Sequence, residues 1–135
     1  MLARADLIVA VAGELGEILT LAGISAGDDA ANLKGPLDRT YRALGFSEAA
    51  LASAVADGEE ARAVAYATYF VLARAAYALA KKMTVSAGAA KAALEQQYLH
   101  VRELMSEALA IAQSYGLTLP GNGTTGVYGI PYAGG

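Results

Sequence analysis

The chain of 135 residues contains no cysteine, no tryptophan and a single histidine. Without cysteine it can form neither a disulfide framework nor a thiolate metal site, and one histidine cannot supply a histidine metal cluster. Basic residues are scarce as well, since ten Lys and Arg stand against thirteen Asp and Glu, giving a net charge of -3. Proteins that bind nucleic acid cluster Lys and Arg on one surface, so this composition does not indicate nucleic-acid binding.

The residues capable of chemistry do not form a recognisable catalytic pattern. His100, the lone histidine, has Gln96 and Glu103 as helical neighbours, and we interpret it as a surface residue. The alternative is a general base oriented by a partner. The adjacent carboxylates at 28–29 and 59–60 do not face each other on a helix, so neither pair resembles a proton-sharing dyad. We therefore predict no enzyme activity, no cofactor and no metal site.

A glycine pattern near the C-terminus, Gly121-x-Gly123-x-x-Gly126, matches the dinucleotide-binding fingerprint in letters only. The fingerprint requires a strand before it and a helix after it, because the helix N-terminus meets the pyrophosphate. Here a helix end and Pro120 precede the glycines, and no helix-forming segment follows. The pattern indicates an extended arm rather than a nucleotide site.

What the chain does contain is alanine and helical periodicity. Hydrophobic residues make up 56% of the chain, many of them alanine, which loses no side-chain entropy in a helix. Apolar residues recur at i, i+3 and i+4, which predicts an all-α fold, a small helical bundle with two long helices. We expect helices over about 5–21, 36–45, 48–55 (after Ser47), 58–82 and 87–115, with Gly116 ending the last one.

Several short-range features accompany these helices. Gly13 and Gly16 weaken the first helix, and we interpret them as a tolerated irregularity; the alternatives are a kink or the close approach of a neighbouring helix. Asp28 or Asp29 is expected to cap a short helix. Asp57, with a glutamate three residues later, has the form of a capping box.

The helix over 58–82 is apolar on nearly every side, which requires cover from a core or from a partner. Two interpretations stay open: a central helix of the bundle, or a helix covered in part by a second subunit. The stretch 61–80 is long enough to span a membrane, but Arg62 and Arg74 interrupt it. We expect a buried helix and no membrane association.

The sequence changes character after residue 117. Residues 1–117 form the predicted helical domain, and 118–135 form a glycine-rich arm in which glycine and proline disfavour helix. The closing part of the arm is apolar, and its proline reduces the entropy lost when the segment becomes ordered. We expect the arm to dock on a partner, for example by adding a strand to a partner sheet. A disordered tail, or an arm folded back on its own domain, is the alternative.

These closing residues, Tyr128-Gly129-Ile130-Pro131-Tyr132-Ala133-Gly134-Gly135, follow a helical bundle of this size. In both respects the chain resembles the head-to-tail connector (adaptor) proteins of tailed bacteriophages. Many of those proteins end in an aromatic residue, Gly-Ile-Pro and Gly-Gly, usually with a few more polar residues. On this basis we expect the natural chain to continue past Gly135.

The resemblance implies a structural virion protein of the phage neck, made in the cytoplasm of the host bacterium. Such adaptors form a ring, typically of twelve copies, beneath the portal of the DNA-filled head. DNA passes through the ring as cargo, and the next neck or tail protein attaches to it. The resemblance assigns the contact with the portal protein to the arm, with Pro120, Val127, Tyr128, Ile130, Pro131 and Tyr132 as its candidate residues.

A ring also needs contacts between its own subunits, in which one patch meets a different patch on the next copy. Tyr66, Tyr69 and Tyr77 are the candidates for one side of this interface, together with the alanine faces. The other side has no assignment from the sequence. The alternative function is a helical ligand-binding or regulatory module, in which the same aromatic helix lines a pocket.

Overall fold

The computed structural model describes residues 1–119, which form an all-α fold. Within this range the chain has four α-helices, one short 3₁₀ helix and no β-strand. The two long helices predicted from the sequence are present. The elements in chain order are α1 (Arg4–Ala22), α2 (Lys34–Ala43), the 3₁₀ helix (Glu48–Ala50), α3 (Glu60–Thr84) and α4 (Gly88–Ser114).

The central element is α3, which packs against α1, α2 and α4. Its buried side chains lie on most sides of the helix, from Ala63 near its start to Leu79 near its end. Within its own chain α3 is therefore the central helix of the bundle, and cover of its exposed end by a second subunit stays a prediction. Among the described residues, α3 is the one helix long and apolar enough to cross a bilayer. Its packing on three neighbouring helices is that of a core helix.

Helix α1 packs on one side of α3 and buries Leu7, Val11 and Leu19. The helix is kinked at Leu15, whose backbone has φ -107° and ψ 16°. A Cβ atom built at Gly13 or Gly16 would meet no atom of residues 1–119 within 4 Å, so no other described segment approaches closely there. Gly13 and Gly16 are therefore not merely a tolerated irregularity, as we interpreted them. They flank Leu15 and weaken the helix where it kinks.

Helix α4 ends as the sequence predicted. Gly116 has a φ of +100°, which an L side chain rarely adopts. Its N–H donates to the Gln113 carbonyl at 2.9 Å, and the Leu117 N–H donates to the Ala112 carbonyl at 3.0 Å. These two bonds define a Schellman motif. Leu117 is buried, so the helical domain closes over an apolar contact directly after α4.

Two predicted helix caps are wrong because the aspartates have more distant partners. Residues 28–33 form turns rather than a short helix, and Asp28 binds the Arg4 side chain. Asp57 accepts a hydrogen bond from the amino group of Met1. No side chain caps the start of α3.

The predicted helix over 48–55 is also wrong in length. Only the 3₁₀ helix forms there, and Ser47 makes no capping hydrogen bond. The chain then extends, and Val55 pairs with Leu2 through two backbone hydrogen bonds of 2.7 and 2.9 Å. Burial of Val55 requires this extended path, which a continued helix would prevent.

Candidate functional site

Two of the three tyrosines predicted at a subunit interface lie in the core of their own chain. Tyr66 and Tyr69 are 0% and 2% exposed. The Tyr66 hydroxyl donates to the Tyr115 carbonyl at 3.0 Å and accepts from Arg62 Nε at 3.0 Å. The assignment of Tyr66 and Tyr69 to a subunit interface is therefore wrong. An aromatic residue on an all-round apolar helix is as well suited to a core as to an interface, and here α3 is the core.

Tyr77, the third of these tyrosines, lies on the surface. Its side chain is 62% exposed, and the Lys81 ammonium group lies 5.3 Å from the centre of its ring. This cation–π pair connects residues one turn apart on the outside of α3. Tyr77 thus remains available to a neighbouring molecule.

The predicted portal-binding residues Pro120, Val127, Tyr128, Ile130, Pro131 and Tyr132 all lie outside the described residues. The same holds for the glycine pattern over 121–126 and for the division of the chain at residue 118, whose second part the structure describes only as far as Leu119.

His100 lies on the exposed surface of α4. In the described part of the chain, no group of three or more His, Asp or Glu side chains is placed to hold a metal ion. A shallow depression on the outer side of α4 is lined by Leu99, Arg102, Glu103 and Ser106. None of these four is aromatic, so the depression differs from the aromatic-lined pocket of the alternative function.

Sequence analysis missed a charge cluster at the start of α1, in which Arg4 and Asp38 are buried while Asp28 and Lys34 are exposed. The Arg4 guanidinium binds the Asp28 carboxylate through two hydrogen bonds, of 2.7 and 2.8 Å. It also contacts Asp38 at 2.9 Å and donates to the Leu51 carbonyl at 2.6 Å. Lys34 adds a second cation beside Asp38, at 2.9 Å. The cluster ties α1 to α2 and to the segment after the 3₁₀ helix, and it is a structural element.

The electrostatics of this cluster follow from its contacts. Burial alone would raise the pKa of Asp38, but hydrogen bonds from Lys34 and Arg4 outweigh it and hold that pKa below its ordinary value. The sequence did carry one signal. Arg4 stands in the first turn of α1, where the helix dipole disfavours a cation. A basic residue in that place requires carboxylates nearby.

Tyr41 of α2 lies beside the cluster, and the centre of its ring is 5.3 Å from the Arg4 guanidinium carbon. The Tyr41 side chain is fully buried. In the described part of the chain its hydroxyl has no hydrogen-bond partner. Burial, with smaller contributions from Arg4 (lowering) and Asp28 (raising), raises the pKa of this hydroxyl above its ordinary value. Tyr41 therefore contributes packing, while its polar atom is desolvated without compensation.

The surface carries two patches of opposite charge. The first, here called the outer face of α1, consists of Asp6, Val9, Glu14, Glu17 and Leu21, which are all exposed. These positions recur at helical spacing on one side of α1. The one basic residue of α1, Arg4, is buried on the other side. The outer face of α1 is therefore acidic, with two apolar residues among its carboxylates.

The second patch, here called the hairpin tip, lies where α3 turns into α4 and consists of Tyr77, Lys81, Val85 and Lys91, all exposed. Between residues 77 and 91 the chain has three lysines and no acidic residue. The third, Lys82, donates to the Leu21 carbonyl at 2.8 Å. The hairpin tip is therefore basic and partly apolar.

Among residues 1–119, helix α4 packs extensively on one helix. It packs on α3, and its buried residues are Val101, Ala108 and Ala112, all in its second half. Leu99 and Ile111 are 62% and 55% exposed. A helix of 27 residues with so few buried side chains leaves most of its surface available.

Comparison with known proteins assigns no family to this arrangement. No protein-family model matches the chain, and no curated protein or solved structure matches it significantly. Inferences about function therefore depend on the residues and contacts described above.

Proposed function

We propose that the chain is a structural protein of a tailed-phage neck, a head–tail adaptor that forms a ring under the portal and docks through its C-terminal arm. The portal ring is the main partner, and neighbouring copies and the next neck or tail protein are the others. The DNA passes through without being held. The protein performs no chemistry and needs no cofactor.

The observation that carries this proposal is the position at which the helical domain closes. The Schellman motif at Gly116 ends α4, and Leu117 covers the core directly after it. The segment that resembles the adaptor tail, 128–135, begins only eleven residues later. A closed helical domain followed directly by an apolar glycine- and proline-rich segment is the layout expected of an adaptor.

Two further features of the structure support an assembly role. The long helix α4 packs on one side only, and Tyr77, Val85 and Leu99 expose large apolar side chains. The overall charge of -3 suits a channel component that passes DNA, because like charges do not hold it.

The proposal is tested by binding to the portal ring encoded in the same genome, observed by electron microscopy. We expect the full chain to add a ring of density to the portal, and a chain ending at Leu119 to keep its helical circular dichroism but lose binding. A full-length Ile130→Asp variant provides a second test, since it places a charge in the segment assigned to the portal. Portal binding that survives both changes would overturn the role of the arm.

The alternative function, a helical ligand-binding or regulatory module, receives less support. Tyr66 and Tyr69, which would line its pocket, fill the core instead. A thermal-shift screen with small apolar ligands tests it directly. A rise in melting temperature that depends on ligand concentration would favour the module over the adaptor.

A further inference from the structure

We infer that the chain associates with itself head to tail: the outer face of α1 in one copy docks on the hairpin tip of the next. The inference deepens the ring of the proposed function and rests on it for the closed geometry. It assigns both sides of a subunit interface, of which the sequence suggested only one, and it retains Tyr77 while excluding Tyr66 and Tyr69.

Charge complementarity is the first reason. The outer face of α1 presents Asp6, Glu14 and Glu17, and the hairpin tip presents Lys81 and Lys91. Opposite charges occur only at the margins of the two patches, where Lys82 contacts the Leu21 carbonyl and Glu95 lies one turn from Lys91. Each patch repels a second copy of itself and attracts the other patch. A contact between unlike patches is heterologous, which is the contact that builds a ring.

The apolar residues within the two patches are the second reason. Val9 and Leu21 are 69% and 40% exposed on the outer face of α1. On the hairpin tip, Tyr77 and Val85 are 62% and 86% exposed. Interfaces commonly combine a buried apolar centre with a polar rim. Docking of the two patches would remove these four residues from water while pairing the charges around them.

The shape of the outer face of α1 is the third reason. Gly13 lies within it, and a Cβ atom there would meet no atom of residues 1–119 within 4 Å. Gly13 contributes to the kink at Leu15, and it also leaves open space above this part of the helix. Beside Ala10, it gives the middle of α1 a flat surface on which another helix can approach closely.

The positions of the patches allow assembly to continue beyond two copies. Helices α1 and α4 both pack on α3 and share few contacts with each other. The two patches adjoin at Leu21, whose carbonyl accepts a hydrogen bond from Lys82, and Asp6 and Val9 lie toward the other end of α1. One copy can therefore offer its α1 to a neighbour on one side and its hairpin tip to another neighbour. Repetition of this contact closes into a ring when the rotation between copies permits.

A charge-swap experiment tests the inference on the full chain. One variant carries Glu14→Lys and Glu17→Lys, and the other carries Lys81→Glu and Lys91→Glu. All four residues are exposed, so circular dichroism should show that both variants fold. We expect wild-type chain to form oligomers in mass photometry or sedimentation, and each variant alone to need a concentration roughly tenfold higher or more, because charges of like sign then meet.

Mixing the two variants is the decisive step. In an equimolar mixture every contact can again join opposite charges. The basic α1 face of the first variant meets the acidic hairpin tip of the second, and the acidic α1 face of the second meets the basic hairpin tip of the first. The mixture should regain the wild-type oligomer with the two variants alternating. Added salt should weaken the wild-type oligomer, because the charges are near the surface. Glu107→Lys, an exposed charge reversal in the second half of α4, is the matched control and should not affect assembly.

Each contrary outcome has a distinct meaning. A wild-type chain that stays monomeric, or variants that stay apart when mixed, would overturn the interface. An oligomer of two copies restored by mixing would support the interface and refute the ring. If the wild-type chain assembles as expected but does not bind the portal, the proposed function is refuted while the interface remains supported.

Discussion

The buried hydroxyl of Tyr41 leads to a prediction with an unusual sign. Replacement of a buried tyrosine by phenylalanine normally destabilises a protein, because a hydrogen bond is lost. The Tyr41 hydroxyl has no such bond in the described part of the chain, although the side chain is fully buried. We expect Tyr41→Phe to make the full chain more stable.

The magnitude follows from two opposing contributions. A hydroxyl buried without a partner costs about 1 to 3 kcal/mol relative to water. Its removal leaves a void of roughly 10 to 15 Å³, which costs about 0.3 kcal/mol. The contacts of the ring with Phe46 and Arg4 are retained by phenylalanine. The free energy of unfolding should therefore rise by about 1 kcal/mol.

Tyr66→Phe is the matched control, since it removes the same single atom from another fully buried tyrosine. There the hydroxyl bridges Arg62 Nε and the Tyr115 carbonyl, at 3.0 Å each. Loss of both bonds should lower the free energy of unfolding by about 1 kcal/mol. Urea denaturation followed by circular dichroism measures both, and the midpoints should move in opposite directions with the slope unchanged.

The pH dependence provides a second check on Tyr41. Since its pKa is raised in the folded chain, the unfolded chain ionises first as the pH rises. The resulting stability is complete below about pH 10, the ordinary value for tyrosine, and is lost above it. Tyr41→Phe should remove this part of the alkaline loss. If Tyr41→Phe instead destabilises the chain as much as Tyr66→Phe does, the hydroxyl has a partner in solution and the reasoning is refuted.

Two other predictions concern the charge cluster and the glycines. Arg4→Met should lower the free energy of unfolding by about 3 kcal/mol, because it leaves Asp38 buried with one cation fewer. In the wild type, the lowered pKa of Asp38 contributes stability that should be lost as the pH falls below the ordinary 3.8. Arg4→Met should lose less stability on acidification than the wild type. An equal loss in the two proteins would count against the cluster. Gly116→Ala should destabilise the folded chain by about 1 to 3 kcal/mol because of the positive φ at this position. Gly13→Ala, in open space on a helix, should stabilise it by about 0.5 to 1 kcal/mol. Thermal denaturation compares the two variants, and equal effects would refute the assigned backbone conformations.

The helices were the part of the fold that the sequence could predict. Periodicity placed α1, α3 and α4 within about two residues of their observed ends. Gly116 marked the end of α4 for a local reason, its left-handed backbone, and local reasons are visible in a sequence. The two hydrogen bonds of the Schellman motif lie entirely within residues 112–117, so the local sequence is enough to predict it.

The caps at Asp28 and Asp57 failed for the opposite reason. Both residues have the chemistry of an N-cap, but their partners, Arg4 and the amino group of Met1, lie 24 and 56 residues away in sequence. Which of two available donors an aspartate takes depends on the assembled fold. Periodicity and local propensity carry no information about that choice.

The candidate interface was half predictable. Composition showed that α3 has more apolar surface than a solvent-exposed helix needs, but it could not separate Tyr66 and Tyr69 in the core from Tyr77 outside it. That distinction depends on where α4 lies along α3. The relation of the acidic residues of α1 to the lysines at the hairpin tip emerges only from the fold.

The one-sided packing of α4 has a consequence for the motions of the chain. Between Gly88 and His100 no residue of α4 is fully covered, whereas Val101, Ala108 and Ala112 anchor the second half. Local unfolding requires least free energy where few apolar contacts are lost. Leu94 and Tyr98 pack only partly against the core there. We therefore expect the first three turns of α4 to open and exchange their amide hydrogens while the rest of the bundle stays folded. Contact with a neighbouring subunit near these turns would slow that exchange, so that assembly would complete the folding of the helix.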